Sequence, residues 1–143
     1  MEPLTVPGTL DSLAAIREYV KAAAAAAGLD RKAAYRLRLA VDEIATNIAT
    51  HGYAEAGLEG TVDLRADIEE KALVIYVEDT GVTYDPRGCE PPDDLDLPLE
   101  QRQMGGLGVF LAVRGVDKLL YERIGERNRH TLVVNRTASS SEE

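Results

Sequence analysis

Leu37, Val41, Ile44 and Ile48 recur at intervals of three and four and mark one buried stripe of a helix. The pattern predicts a long helix through "RKAAYRLRLAVDEIATNIAT", capped by Asp30 and stopped by Gly52. An earlier helix is predicted from about Leu10 to Ala27. Thr9 or Asp11 is its cap, and Gly28 ends an alanine-rich tail of high helix propensity. Before it, Leu4 to Val6 reads as a short strand punctuated by Pro7 and Gly8. The period then changes to two. "TVDLRADI" and "ALVIYVED" alternate around the charged turn "EEK", which is the pattern of an antiparallel hairpin.

Periodicity is lost over "TGVTYDPRGCEPPDDLDLPLEQRQMGG", with its four prolines and six acidic residues. Connections of that length are uncommon inside a compact domain unless they serve function, so the segment is expected to act as a lid. "LGVFLAVRGV" predicts a third helix. "DKLLYER" and "HTLVVNR" predict a closing hairpin around "IGERN", and "TASSSEE" a frayed polar tail over 137–143. Helices and antiparallel strands segregated in this order imply a two-layer α+β sandwich rather than a doubly wound α/β sheet.

Composition narrows the class of protein. With 143 residues, 45% of them hydrophobic, the chain is long enough for one core, so residues 1–136 are expected to form a single domain. A formal charge of −9 disfavours direct nucleic-acid binding, which draws its affinity from clustered Lys and Arg. Cys89 is the single cysteine and has no internal disulfide partner, which suits a reducing compartment. No apolar run approaches the roughly 20 residues that span a bilayer, and "MEPLTVPGTL" lacks the regions of a secretion signal. A cytoplasmic location is the expectation.

Three local features carry possible chemistry. Glu43 and Asn47 lie one turn apart on the long helix, within ~40° of each other and ~6 Å apart along the axis. An amide oxygen suits Mg²⁺, and a neighbouring carboxylate can take or direct a hydroxyl proton. Taken alone, the pair is better read as two solvated polar residues beside a core, since a Glu and an Asn four apart are common. Asp79 and Gly81 follow an apolar strand, where a carboxylate could accept from the amino group of a planar ligand and a glycine leave room for its ring. An ordinary turn has the same composition. Gly105, Gly106 and Gly108 precede the third predicted helix, where bared N–H groups meet the positive end of its dipole and suit phosphate oxygens. Neither a Rossmann nor a Walker pattern is present.

In that order, with the lid between the second and third features, the chain resembles the GHKL (Bergerat-fold) ATPases. "DEIATNIATHGY" is similar to their N box, "EDTGV" to the first glycine box and "GGLGVFL" to the second. Within the superfamily the resemblance is to the RsbW and SpoIIAB branch of anti-sigma factors, which are serine/threonine protein kinases. It is carried by "TNIATHGY", "DTGVTYDP" and "PLEQRQMGGLGVFLAVRGVDKLLYER" and covers roughly residues 4–136. Two departures are His130 and Val82, at places where relatives often have Gly, and Pro or Gly, respectively.

The resemblance implies a mixed, mostly antiparallel sheet with three helices on one face, and a site for ATP and Mg²⁺. By motif, Asn47 would coordinate the metal and Glu43 would be the catalytic base. Asp79 would bind the adenine amino group with Gly81 beneath the ring. Gly105, Gly106, Leu107 and Gly108 would enclose the phosphates, and Thr131 would support the adenine contact. His51 is placed either near the lid and phosphates or in a structural role at the helix end. The activity implied is phosphorylation of a Ser or Thr on a STAS-domain anti-anti-sigma partner, together with sequestration of a sigma factor. A homodimer through the alanine-rich first helix is possible, although internal packing explains that face as well. An ATP-binding switch without kinase activity is the first alternative. The catalytic domain of a histidine kinase ranks below it, because no phosphoacceptor hairpin precedes the domain and both histidines lie within it.

Overall fold

The computed structural model describes residues 1–82 and 116–136. The expected lid from residue 83 onward, the third helix up to residue 115, Cys89 and the tail lie outside the described residues. Five strands form one sheet: β1 (Leu4–Pro7), β2 (Thr61–Ile68), β3 (Ala72–Asp79), β4 (Lys118–Ile124) and β5 (Arg127–Asn135). Their order is β1-β2-β3-β5-β4, and every pairing is antiparallel. The expected mixed sheet is therefore corrected, for the described strands, to a purely antiparallel one. Two tight turns, after Ile68 and Ile124, reverse the chain, and β5 enters between β3 and β4. The second turn is only Gly125 and Glu126, shorter than "IGERN", and Gly125 supplies the positive φ of 60° it needs.

Two helices cover one face. The first begins as a 3-10 turn (Leu10–Ser12) and continues as α1 (Leu13–Ala27). Neither Thr9 nor Asp11 supplies a side-chain cap, since the backbone bond from Ser12 N to Thr9 O tightens the entry instead. At the other end Gly28, at φ 72°, donates to Ala25 O while Leu29 donates to Ala24 O, a Schellman ending that requires the left-handed residue. Asp30 caps α2 (Arg31–Asn47) by accepting from Ala33 N at 2.8 Å. Gly52 does not stop this helix. The chain passes instead into a π-helix (Ile48–Ala54), closed by the five-residue bond from Glu55 N to Thr50 O.

The core lies between these helices and the sheet. Ile16, Val20 and Ala23 of α1 and Leu37, Val41 and Ile44 of α2 meet Leu64, Ile75, Val77 and Leu132. Ala23, Ala24 and Ala27 are buried, so the alanine-rich tail spends its inner face on internal packing. The period of two puts Leu73, Ile75, Val77 and Asp79 of β3 on the helix side, with Val134, Leu132, His130 and Asn128 opposite them on β5. The other sheet face is polar. Asp63, Glu78, Arg129 and Glu122 stand in register across four strands, and Arg127 joins Asp63 at 2.6 Å and Glu78 at 2.9 Å. The two carboxylates hold the Arg127 guanidinium even more firmly protonated than usual.

Candidate functional site

Asp79 ends β3 on the helix side and is 2% exposed. Its Oδ1 accepts from Gly81 N at 2.7 Å and from Asn128 Nδ2 at 2.9 Å. Its Oδ2 is buried and has no hydrogen-bond partner among the described residues. A buried carboxylate oxygen without a donor costs about 1–3 kcal/mol or more, so the fold keeps here an acceptor that a ligand's N–H would satisfy.

Gly81 next to it answers a demand that the sequence did not suggest. A Cβ built at position 81 would stand 2.6 Å from the Gly52 carbonyl oxygen and 3.1 Å from Gly52 Cα. The glycine is thus required by the approach of two backbones, which Val82 N reinforces by donating to Gly52 O at 3.1 Å. Gly52 sits in the π-helix that continues the helix carrying Glu43 and Asn47. The contact joins the first two candidate segments.

Tyr53, one residue on, completes that joint and was given no role by sequence reasoning. Its hydroxyl donates to Thr61 O at 2.7 Å and accepts from Thr80 N at 2.8 Å, tying the π-helix to the start of β2 and the end of β3. Its ring fills the space where Gly8 and Gly60 lack side chains; a Cβ at either would come within 2.8 Å of it.

Immediately before the π-helix, Asn47 is 7% exposed and its Nδ2 donates to Glu43 Oε2 at 3.2 Å. Because the amide nitrogen is engaged, its oxygen is the end left for a cation, and it takes no hydrogen bond among the described residues. Those residues contain no cluster of three or more His, Cys, Asp or Glu. Such a donor set fits Mg²⁺, which commonly uses one or two protein oxygens together with substrate phosphates and water.

Thr131 pairs with Tyr76 and Leu120, and the alternation of β5 puts it on the sheet face opposite to Asp79. The side chain that meets Asp79 across the ladder is Asn128, three residues earlier. An odd offset along a strand reverses the face, so a motif match in sequence did not secure the contact. His51 pairs with Glu55 at 2.8 Å on the exposed side of the π-helix. Gly105, Gly106, Leu107 and Gly108 lie outside the described residues. Arg123 and Tyr121 of β4, which bond to Asn128, were also missed. No local pattern marks them, because their significance comes from strand register.

A second concavity, about 580 Å³, opens on the other side of Tyr53 between Leu10, Thr50 and Leu58. It contains neither Asp79 nor Asn47, and Asp11 and Glu59 on its rim would repel a polyphosphate.

Residues 6–134 match the family model described as a histidine kinase-like ATPase domain. A serine-protein kinase RsbW from Halalkalibacterium halodurans is 30% identical over 119 residues, covering 81% of this chain and 72% of that protein. Another, from Staphylococcus aureus, is 26% identical over 126 residues, covering 85% and 79%. The fold is similar to the histidine kinase domain of a blue-light activated histidine kinase from Erythrobacter litoralis, with a TM-score of 0.52 and 22% identity. That match covers 88% of this chain and 62% of the other. With its antiparallel sheet, its helices on one face and the joint between the N-box helix and the Asp79 turn, the chain belongs to the histidine kinase-like ATPase family, in its RsbW-like branch.

Proposed function

We propose that this protein is an anti-sigma regulatory factor that binds Mg²⁺-ATP and phosphorylates a serine or threonine of a STAS-domain anti-anti-sigma partner. The observation that carries the nucleotide reading is the buried Oδ2 of Asp79, an acceptor with no protein donor among the described residues at the end of an apolar strand. The exocyclic amino group of adenine supplies such a donor. The names of the two serine-protein kinase relatives support the transfer activity and its target class.

In this reading ATP enters with its base against Asp79 and its phosphates toward the N-box helix. Asn47 would hold a divalent cation through its amide oxygen, and that cation would neutralise charge on the phosphates. Glu43 orients Asn47 and faces the incoming hydroxyl. The hydroxyl oxygen forms a bond to the γ-phosphorus as the bond to the β–γ bridging oxygen breaks, ADP leaves, and the hydroxyl proton passes to Glu43. Gly105, Gly106, Leu107 and Gly108 would close around the phosphates. The same domain would bind a sigma factor and release it according to the phosphorylation state of the antagonist.

Incubation with labelled ATP and a candidate STAS protein is expected to transfer the γ-phosphate to one Ser or Thr. Glu43→Gln should lower that transfer by about 10²-fold or more while keeping ATP affinity within about threefold. An unlabelled partner in the presence of tight ATP binding would instead favour an ATP-dependent switch without transfer.

A further inference from the structure

The polar cluster under the Asp79 turn holds more than one carboxylate needs. Asn128 is 1% exposed and stands directly across the ladder from Asp79. Its Nδ2 donates to Asp79 Oδ1 at 2.9 Å and lies 3.1 Å from Gly81 O and 3.3 Å from Val82 O. Its Oδ1 accepts from the Tyr121 hydroxyl at 2.6 Å and from Arg123 Nη1 at 3.0 Å. Arg123 is the cross-strand neighbour of Asn128 on β4, and the same Nη1 also donates to Gly81 O at 3.1 Å.

A guanidinium has donors only, so it accepts the amide's oxygen as partner and rejects its NH₂ group. The amide is therefore held in one of its two orientations, with the NH₂ on Asp79. Oδ1 of Asp79 is then occupied by two donors, and the free acceptor capacity of the carboxylate is confined to Oδ2. We propose that Asn128, locked by Arg123 and Tyr121, is the positioning residue that sets base specificity. It fixes Asp79 so that Oδ2 alone receives a purine's exocyclic amino group. This rests on the reading of Asp79 as the base acceptor, and makes Arg123, an exposed residue at the end of β4, a remote determinant of which nucleotide binds.

Two ligands that differ by one amino group separate positioning from mere support of the fold: ATP, and purine riboside triphosphate, in which hydrogen replaces the 6-amino group. Calorimetry on the full chain with Mg²⁺ should show wild type preferring ATP by about tenfold or more. Asn128→Asp, which is isosteric but loses the donor, should reduce this preference to within about twofold, and Arg123→Met should reduce it several-fold. The affinity for purine riboside triphosphate should stay within about threefold in both. Arg123→Met alters an exposed side chain and decides the matter if Asn128→Asp fails to fold. A wild-type preference retained in folded Arg123→Met would overturn the role of the lock while leaving Asp79 as the base acceptor. Equal weakening of both ligands would reduce Asn128 to a structural role. Absence of any preference in wild type would remove the Asp79 reading itself, and this proposal with it.

Discussion

At the scale of single residues, Gly81 and Gly52 form a pair with unequal tolerance. A methyl group at 81 meets the Gly52 carbonyl at 2.6 Å, whereas one at 52 finds its nearest neighbours at 3.8 Å, on Ile48, and 4.0 Å, on Gly81. Gly81→Ala must push the β3 turn off the π-helix and is expected to cost about 1–3 kcal/mol in denaturant unfolding, with Asp79 displaced and ATP affinity reduced. Gly52→Ala should change stability by less than about 1 kcal/mol. Equal effects of the two changes would show that the close backbone approach does not govern this turn.

At the scale of elements, the N-box helix reaches the sheet twice, through the core packing of α2 and through the hydrogen bonds of Tyr53 in the π-helix that follows it. A regular α-helix that stopped at Gly52 would not carry the Tyr53 hydroxyl in this way to both Thr61 O and Thr80 N. Tyr53→Phe keeps the ring that fills the space beside Gly8 and Gly60 but leaves a part-buried carbonyl and a backbone N–H without their partner. The expected loss is about 1–3 kcal/mol, with hydrogen exchange at Thr80 accelerated before that of the core strands. Unchanged protection at Thr80 would mean that another group holds the joint. The outer face of the sheet is organised by a different rule. Asp63, Glu78, Arg129 and Glu122 alternate in sign only between some neighbours, and it is Arg127 that balances the adjacent Asp63 and Glu78.

For the whole molecule, the proposed function would bring a polyanion to an acidic chain of net charge −9, where a cation would offset the repulsion. Saturating Mg²⁺-ATP at about 100 times its Kd should raise unfolding free energy by about 2.7 kcal/mol, a rise in Tm of roughly 5–10 °C for a chain of this size. The same nucleotide with the metal chelated should give a much smaller shift. No shift under either condition would argue against a nucleotide site. Among the described residues no helix is long and apolar enough to cross a membrane.

The sequence alone determined what depends on local period and local chemistry. The alternation of "TVDLRADI" and "ALVIYVED" located β2 and β3 to the residue, Asp30 and Gly28 marked helix ends through side-chain capping and a left-handed backbone, and the stripe on α2 named its buried face. Motif order pointed to the family. Which residues meet across space came from the packing of distant segments. It continued α2 past Gly52 as a π-helix, assigned the glycine at 81 to a backbone contact, and set Asn128 rather than Thr131 beside Asp79. Strand register is the physical reason: a shift of one residue exchanges the two faces of a sheet, and neither propensity nor motif spacing measures it.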